Sequence, residues 1–266
     1  MAIEGNIGTK DFALEVARGR VTGISAVHKF GHAPAGIQTS LSDVWSRSDS
    51  DATQPVWLAP TAARIHAIAS SDDTDGKTSS PNSVGARTIR VYGLKTWASA
   101  ETSEDIILDG TTGVDTLNSY VIIHRMKVLT MGTSGPNVGI IKATAASDTT
   151  ITAVIDVGEG QTEMAIYGVP STQTFYMTRW ACSMGKSATT QALGLELRVN
   201  ENPNVQTTKF ILKNDMELIS TGTSALSLVF PIPAKFAGPC IIKTSGVASA
   251  NDIECNAAFD GYLIDN

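Results

Sequence analysis

The side chains best suited to hold a metal or carry a proton in this sequence are its four histidines, His28, His32, His66 and His124. His28 and His32 stand four residues apart, a spacing that on a helix would set both imidazoles on one face, as a zinc site requires. Gly31 between them opposes a helix, and no Glu follows His28, so the zinc-protease arrangement is missing. His124 falls in an apolar run and reads as a hydrogen-bonded core histidine. Gly185-Lys186-Ser187 has the tail of a phosphate-binding loop, but Trp180 stands where the first Gly of such a loop belongs and no helix pattern follows. Ser71-Asp72-Asp73-Thr74-Asp75-Gly76 is faintly like the start of a calcium loop. Asn82 occupies the position of the closing bidentate carboxylate, so a solvated acidic turn is expected instead.

The remaining candidates for chemistry are thinner. No Gly-x-Ser-x-Gly elbow presents a nucleophile. The carboxylate pairs Glu101 with Glu104 and Asp49 with Asp51 sit in polar stretches, where nothing splits their acidities as acid–base catalysis needs. Cys182, Cys240 and Cys255 are widely spaced and odd in number, which predicts reduced, buried thiols rather than a disulfide framework or a zinc knuckle. Trp45, Trp57, Trp97 and Trp180 could build a sugar-binding platform, three of them in or near expected loops, or they could anchor a subunit contact. Catalysis, cofactors and metals are therefore not expected.

Composition narrows the field further. Of 266 residues, 42% are hydrophobic and only 17% charged, against about a quarter charged in average soluble proteins. Ser, Thr, Gly, Ala and Asn take the place of charge, which fits either uncharged strand faces or a surface partly covered by neighbours. A net charge of −6 with scattered Lys and Arg argues against a nucleic-acid partner. Met1-Ala2-Ile3-Glu4-Gly5 has no basic segment leading into an apolar one, and no run reaches the roughly 18 apolar residues that would span a bilayer. The expectation is a product made in the cytoplasm with no membrane partner.

The elements that would position these groups are strands. Up to about residue 54 periodicity is poor, with short helical turns at Asp11–Ala17 and Leu41–Arg47 around the Gly- and Pro-containing stretch Gly31-His32-Ala33-Pro34-Ala35-Gly36. The apolar residues Phe12, Leu14, Val16, Val27, Phe30, Val44 and Trp45 make this an extended arm seeking a surface rather than a disordered tail. From residue 63 onward, strands recur. Examples are Arg87–Leu94, with Ile89 and Val91 on one face, and Ser119–Thr130, which is apolar on both faces and so expected at a sheet centre. Another is Thr174–Met184, with Phe175, Met177 and Ala181 on one face. The cleanest alternation is Leu193, Leu195, Leu197 and Val199 against Gly194, Glu196 and Arg198. Val169-Pro170-Ser171 reads as a boundary. The expected fold is all-β: an N-terminal extended arm, 1–54, then β-sandwich or jelly-roll-like domains at 55–169 and 170–266, with one merged sandwich as the alternative.

Several segments together resemble virion proteins of tailed bacteriophages. They are Phe12 to Gly19 continuing through Val27-His28-Lys29-Phe30-Gly31, Gly85 to Leu94, Leu108-Asp109-Gly110-Thr111-Thr112, Gly158 to Thr162, Ala192 to Val199 and Phe259 to Asp265. The resemblance implies a non-enzymatic component of the particle, most naturally a capsid decoration or cement protein. Its partners would be other virion proteins, the major capsid protein among them, and copies of itself in a homo-oligomer. It further implies contact residues at Phe12, Val16, Phe30 and Trp45, the arm burying them on a neighbour. A neck, tail or fibre component, or a carbohydrate-binding adhesin using Trp57 and Trp97, are the alternatives.

Overall fold

The computed structural model describes residues 11–46, 54–76, 83–185 and 189–266. The described chain is nearly all β, arranged as small antiparallel sheets, with a single short helix, α1 (Phe12–Ala17), among the described residues. Asp11 starts that helix by accepting N–H bonds from Ala13 and Leu14 through its carboxylate. One sheet runs in the order β1 (Ile24–Ile37), β16 (Ile253–Asp265), β11 (Gln173–Met184), β14 (Ala225–Ala237). A second runs β10 (Ile166–Val169), β15 (Cys240–Ala248), β12 (Ala192–Asn200), β13 (Ile211–Ile219), with the short β2 (Ser42–Asp43) also on β15. A third runs β6 (Val114–Asp115), β3 (His66–Ser70), β8 (Ile141–Ala145), β9 (Ile151–Ile155), and a fourth β5 (Thr102–Ile107), β4 (Ala86–Leu94), β7 (Ile122–Met131).

Two apolar cores follow from this arrangement. The first two sheets share one, in which Phe175, Trp180 and Phe259 meet Leu195, Leu197 and Ile242. The third and fourth sheets share the other, around Trp57, Ile68, Ile89, Tyr120 and Ile141. The period-2 stretch of β12 behaves as its sequence dictates: Leu193, Leu195, Leu197 and Val199 are buried, each contributing about 2 kcal/mol relative to exposure, while Glu196 and Arg198 face outward.

The cores are not joined by a flexible linker. Three segments form a wall that belongs to both, because successive residues of a strand point to opposite sides. Val44 faces the first core and Trp45 the second; Ala165, Tyr167 and Val169 face the first, Met164 and Ile166 the second; Cys240 and Ile242 face the first, Ile241 the second. Their backbones are tied together: Val44 N–H donates to Thr244 O (2.9 Å), Ala165 N–H to Val44 O (3.0 Å) and Thr244 N–H to Ala165 O (3.1 Å).

Several expectations are corrected. The extended arm over 1–54 is, from Ile24 to Ile37, a strand of the chain's own sheet, in register with β16 from Ile24↔Ile264 to Ala33↔Cys255. Gly31 is needed there, since a Cβ would come within 2.3 Å of Ala165 N and 2.6 Å of Val44 O where β1 crosses the shared wall. The helical turn at Leu41–Arg47 is replaced by β2 and a bridge at Trp45, with Arg47 outside the described residues. β7 lies at the edge of its sheet; the central strand is β4, whose Ile89 and Val91 are buried as expected. The Ser119–Thr130 run is apolar on both sides because Ile122 and Ile123 fall where the β4–β7 register shifts. In β11 the register skips Thr178 against β16, so the inward face passes from Phe175 and Met177 to Trp180, Cys182 and Met184, leaving Ala181 half-buried on the other side.

Candidate functional site

The residues expected to grip a neighbour divide into two sets. Val16 and Trp45 are buried, at 2% and 1% exposure, within this chain, so neither is available to a partner. Trp45 packs in the second core and turns its indole N–H toward Pro55 O (3.4 Å). Phe12 stays 38% exposed, its ring edge-on to Tyr262 at 5.5 Å, and Phe30 is half-buried beside the His28 ring. The sugar-binding platform is overturned as well. Trp45, Trp57, Trp97 and Trp180 are all buried, at 8% exposure or less, and Trp57 and Trp180 donate their indole N–H to Thr152 O (2.8 Å) and Thr244 Oγ1 (3.1 Å).

The acidic turn is not solvated at Asp75, which has no exposure. Its carboxylate accepts Ala86 N–H (2.7 Å), Val138 N–H (2.9 Å), Gly139 N–H (2.8 Å) and Ser70 O–H (2.7 Å). Asp72 and Asp73 are likewise spent on Thr74 and Thr111, which hold both carboxyls below the usual range. Asn82, Lys186, Ser187, Asp49 and Asp51, named above in the loop and carboxylate motifs, lie outside the described residues. Among the described residues no group of three or more His, Cys, Asp or Glu side chains is placed to hold a metal. His32 lies between Glu163 (3.2 Å) and Glu254 (2.9 Å), and His28 pairs with Asp260.

What sequence reasoning missed is a difference between the two edges of the first pair of sheets. At one edge, β1 and β10 are covered by the chain itself: Gly168 packs on Ile122 and Trp97. At the other edge lie β13 and β14, consecutive in the chain and one in each sheet, with no further strand beside either among the described residues. That edge carries Ile211, Leu212, Ile219, Leu226, Val229 (69% exposed) and Ile232 (87% exposed), six of the fifteen large apolar side chains exposed among the described residues. The signal was in the sequence, since Leu226 to Ile232 is apolar on both faces and contains Pro231, which fits only an edge strand. Opposite Thr178 of β11, the four residues Phe230-Pro231-Ile232-Pro233 have no partner and bulge outward.

A second feature lies at the covered edge, where β1 meets β7 and the turn before β5. A cleft of about 620 Å³ opens there, walled by Val27, Tyr92, Tyr167 and Leu263. Lys29, 8% exposed, reaches into this region and donates from Nζ to His124 O (2.5 Å). His124 is the core histidine expected, its Nε2 bonded to Glu101 Oε2 at 2.6 Å. Arg125 stands at the rim, its guanidinium over the Tyr92 ring (5.5 Å) and bonded to Gln161 (3.3 Å). Burial, helped by the charge of Arg125 and opposed by Glu101, brings the Lys29 ammonium down to about 7. Burial pushes the Glu101 carboxyl up, but His124, Lys29 and Arg125 together hold it below its ordinary range.

The lysine makes stability depend on pH in a defined direction. Folded, Lys29 gives up its proton near 7; unfolded, it keeps it to about 10.5. Between those values the unfolded chain binds the extra proton, so this group makes stability rise with pH, at up to about 1.4 kcal/mol per unit. Above about 9 the buried thiols reverse the trend, because burial raises Cys182, Cys240 and Cys255 while the unfolded thiols ionise. Urea unfolding between pH 7 and 8.5 is therefore expected to give a positive slope, and Lys29→Met is expected to flatten it.

No family model matches the chain, and no curated protein sequence matches it. Among solved structures it is similar to that of the infectious bursal disease virus Gx strain, with 10% identity and a TM-score of 0.20, covering 91% of this chain and 71% of that one. The Gt strain of the same virus gives 10% identity and a TM-score of 0.14 over 91% and 81% of the two chains. The VP2 subviral particle of that virus gives 8% identity and a TM-score of 0.14 over 91% and 80%. Superpositions at this level do not establish a shared fold.

Proposed function

We propose that the chain is a non-enzymatic structural protein of a virus particle that assembles by side-chain contacts along the open edge formed by β13 and β14. The observation that carries the reading is the asymmetry of the two edges: one packs in part against the rest of the chain, whereas the other exposes six large apolar side chains, interrupted on β13 by Lys213, Asp215 and Glu217. Exposed apolar stripes of this kind mark protein contacts, and a charge-poor composition suits a chain whose surface is covered after assembly. Pro231 and Pro233 have no N–H to offer an added strand, so the contact is through Val229, Ile232, Leu226 and their neighbours rather than through backbone pairing. The resemblance of its segments to tailed-phage virion proteins makes capsid decoration or cement the favoured role. On that reading each pair of sheets is a sandwich-like block, docking on the major capsid protein or on a further copy. Many identical copies in a closed shell make modest single contacts sufficient.

The double variant Val229→Asp, Ile232→Asp tests this. Both side chains are exposed, so stability is expected to stay within about 0.5 kcal/mol of the parent. The variant is expected to be missing from purified particles, and the reading is wrong if it is recovered at the parental stoichiometry. A neck, tail or fibre position would use the same surface; a shell protein is present in on the order of hundreds of copies, an axial one in a single small ring.

A further inference from the structure

We propose that the cleft between β1, β7 and the turn before β5 is a binding site for an organic carboxylate, seated on Lys29 and Arg125 with its apolar body against Val27, Tyr92, Tyr167 and Leu263. The site is separate from the open edge and does not depend on the role proposed for it.

The first argument is the state of Lys29. A buried ammonium is costly unless it is paired, and buried lysines ordinarily meet a carboxylate. Lys243 in this same chain does so, on Asp43 at 2.6 Å. Lys29 instead has one neutral acceptor, the His124 carbonyl, and among the described residues no carboxylate in an ion pair. Two of its three donor positions are left for something that enters the cleft.

The second argument is charge. The titratable groups facing Lys29 are Glu101 from the turn before β5, His124 and Arg125 from β7, Tyr92 from β4 and Tyr167 from β10; His28, next to it on β1, is paired with Asp260 of β16. The Tyr167 phenol is pushed up by burial and by Glu101, so it stays neutral. His124 Nε2 is taken up by Glu101. Lys29 and Arg125 are then the cationic side chains left to face the one carboxylate of Glu101. A monoanion completes the balance, whereas a dianion would add repulsion from Glu101. Val27, Leu263 and the rings of Tyr92 and Tyr167 give this otherwise polar cleft an apolar side, which favours a monoanion with a hydrocarbon body, an organic carboxylate, over an inorganic ion.

The third argument is linkage. An anion that binds protonated Lys29 must raise its proton affinity, and affinity must fall as pH rises above the free value near 7. Benzoate is a suitable probe and benzyl alcohol its uncharged control. In isotope-labelled full-length protein, benzoate is expected to shift the Lys29 side-chain resonances and raise their titration midpoint by about one unit, corresponding to about tenfold tighter binding below the midpoint. Benzyl alcohol is expected to leave the midpoint in place. Lys29→Met is expected to weaken benzoate at pH 7 about tenfold, and Arg125→Met is expected to weaken it in the same direction. An unmoved Lys29 midpoint in saturating benzoate overturns the proposal. So does equal binding of benzoate by the Lys29→Met variant, or an equal response to benzyl alcohol, which would mean the cleft only accepts an apolar body.

Discussion

Replacing Asp43 by alanine is expected to cost about 3–5 kcal/mol, among the largest losses available from a single side chain in this protein. Asp43 is 2% exposed and its two oxygens serve three donors: Lys243 Nζ and Trp57 N–H on Oδ2, at 2.6 and 2.7 Å, and Ser245 O–H on Oδ1 at 2.6 Å. The truncation strands a buried ammonium, whose remaining close neighbour is the face of Phe210 at 4.2 Å. It also frees the peptide that leads Trp57 into the second core. Lys243→Met is expected to cost clearly less, because the carboxylate keeps two neutral donors and the methionine packs where the lysine stem lay. Urea unfolding read by tryptophan fluorescence checks the order: a Lys243→Met loss equal to that of Asp43→Ala would mean that the ion pair carries the whole effect and that the two neutral donors on Asp43 contribute nothing.

Asp75→Ala is expected to lose about 3 kcal/mol or more by a different route. Among the described residues no cation is paired with Asp75; it acts as a surrogate backbone, accepting three peptide N–H groups from Ala86, Val138 and Gly139 and the Ser70 hydroxyl. Without it, the buried N–H groups of Ala86 and Gly139 and the half-buried one of Val138 lose their partner at once, at about 1–3 kcal/mol for each buried donor before relaxation or entry of water. Gly85→Ala is expected to act on the same hub, because its Cβ would fall 2.0 Å from Asp75 Oδ1. Hydrogen exchange localises the effect: the amides of Ala86, Val138 and Gly139 are expected to lose protection together, and independent behaviour of the three would argue against a single hub.

How far this was legible in the sequence depends on where each signal is stored. β12 was plain because its burial is one-sided and its pattern lies within nine residues. β1 was not, because its evidence sits at the far end of the chain: Gly31, Pro34 and Gly36 look like loop residues until β16 pairs with Gly31 and, past the irregularity that holds Pro34 and Gly36, with Ile37. The tryptophans were misplaced for a related reason. Trp57 and Trp97 neighbour turn-like residues, yet each is drawn into a core by distant strands. Among the expected contact residues, Val16 and Trp45 were recognised correctly as groups that want burial, but the chain supplies that burial itself. The parity change in β11 at Thr178 has no local sign at all, since it is set by pairing on both sides. The Lys29 cleft was hidden similarly, its members spread over β1, β7, β10 and the turn before β5.

The outward bulge of β14 bears on how the molecule behaves at high local crowding. An apolar strand left bare beside many identical neighbours invites runaway stacking into fibrils, each newcomer extending the ladder of the last. Two imino acids flanking Ile232 deny that ladder its rungs while leaving the greasy tip available. Backbone pairing of that kind is therefore blocked at the bulge, so the strand presents its apolar tip without offering a ladder to extend.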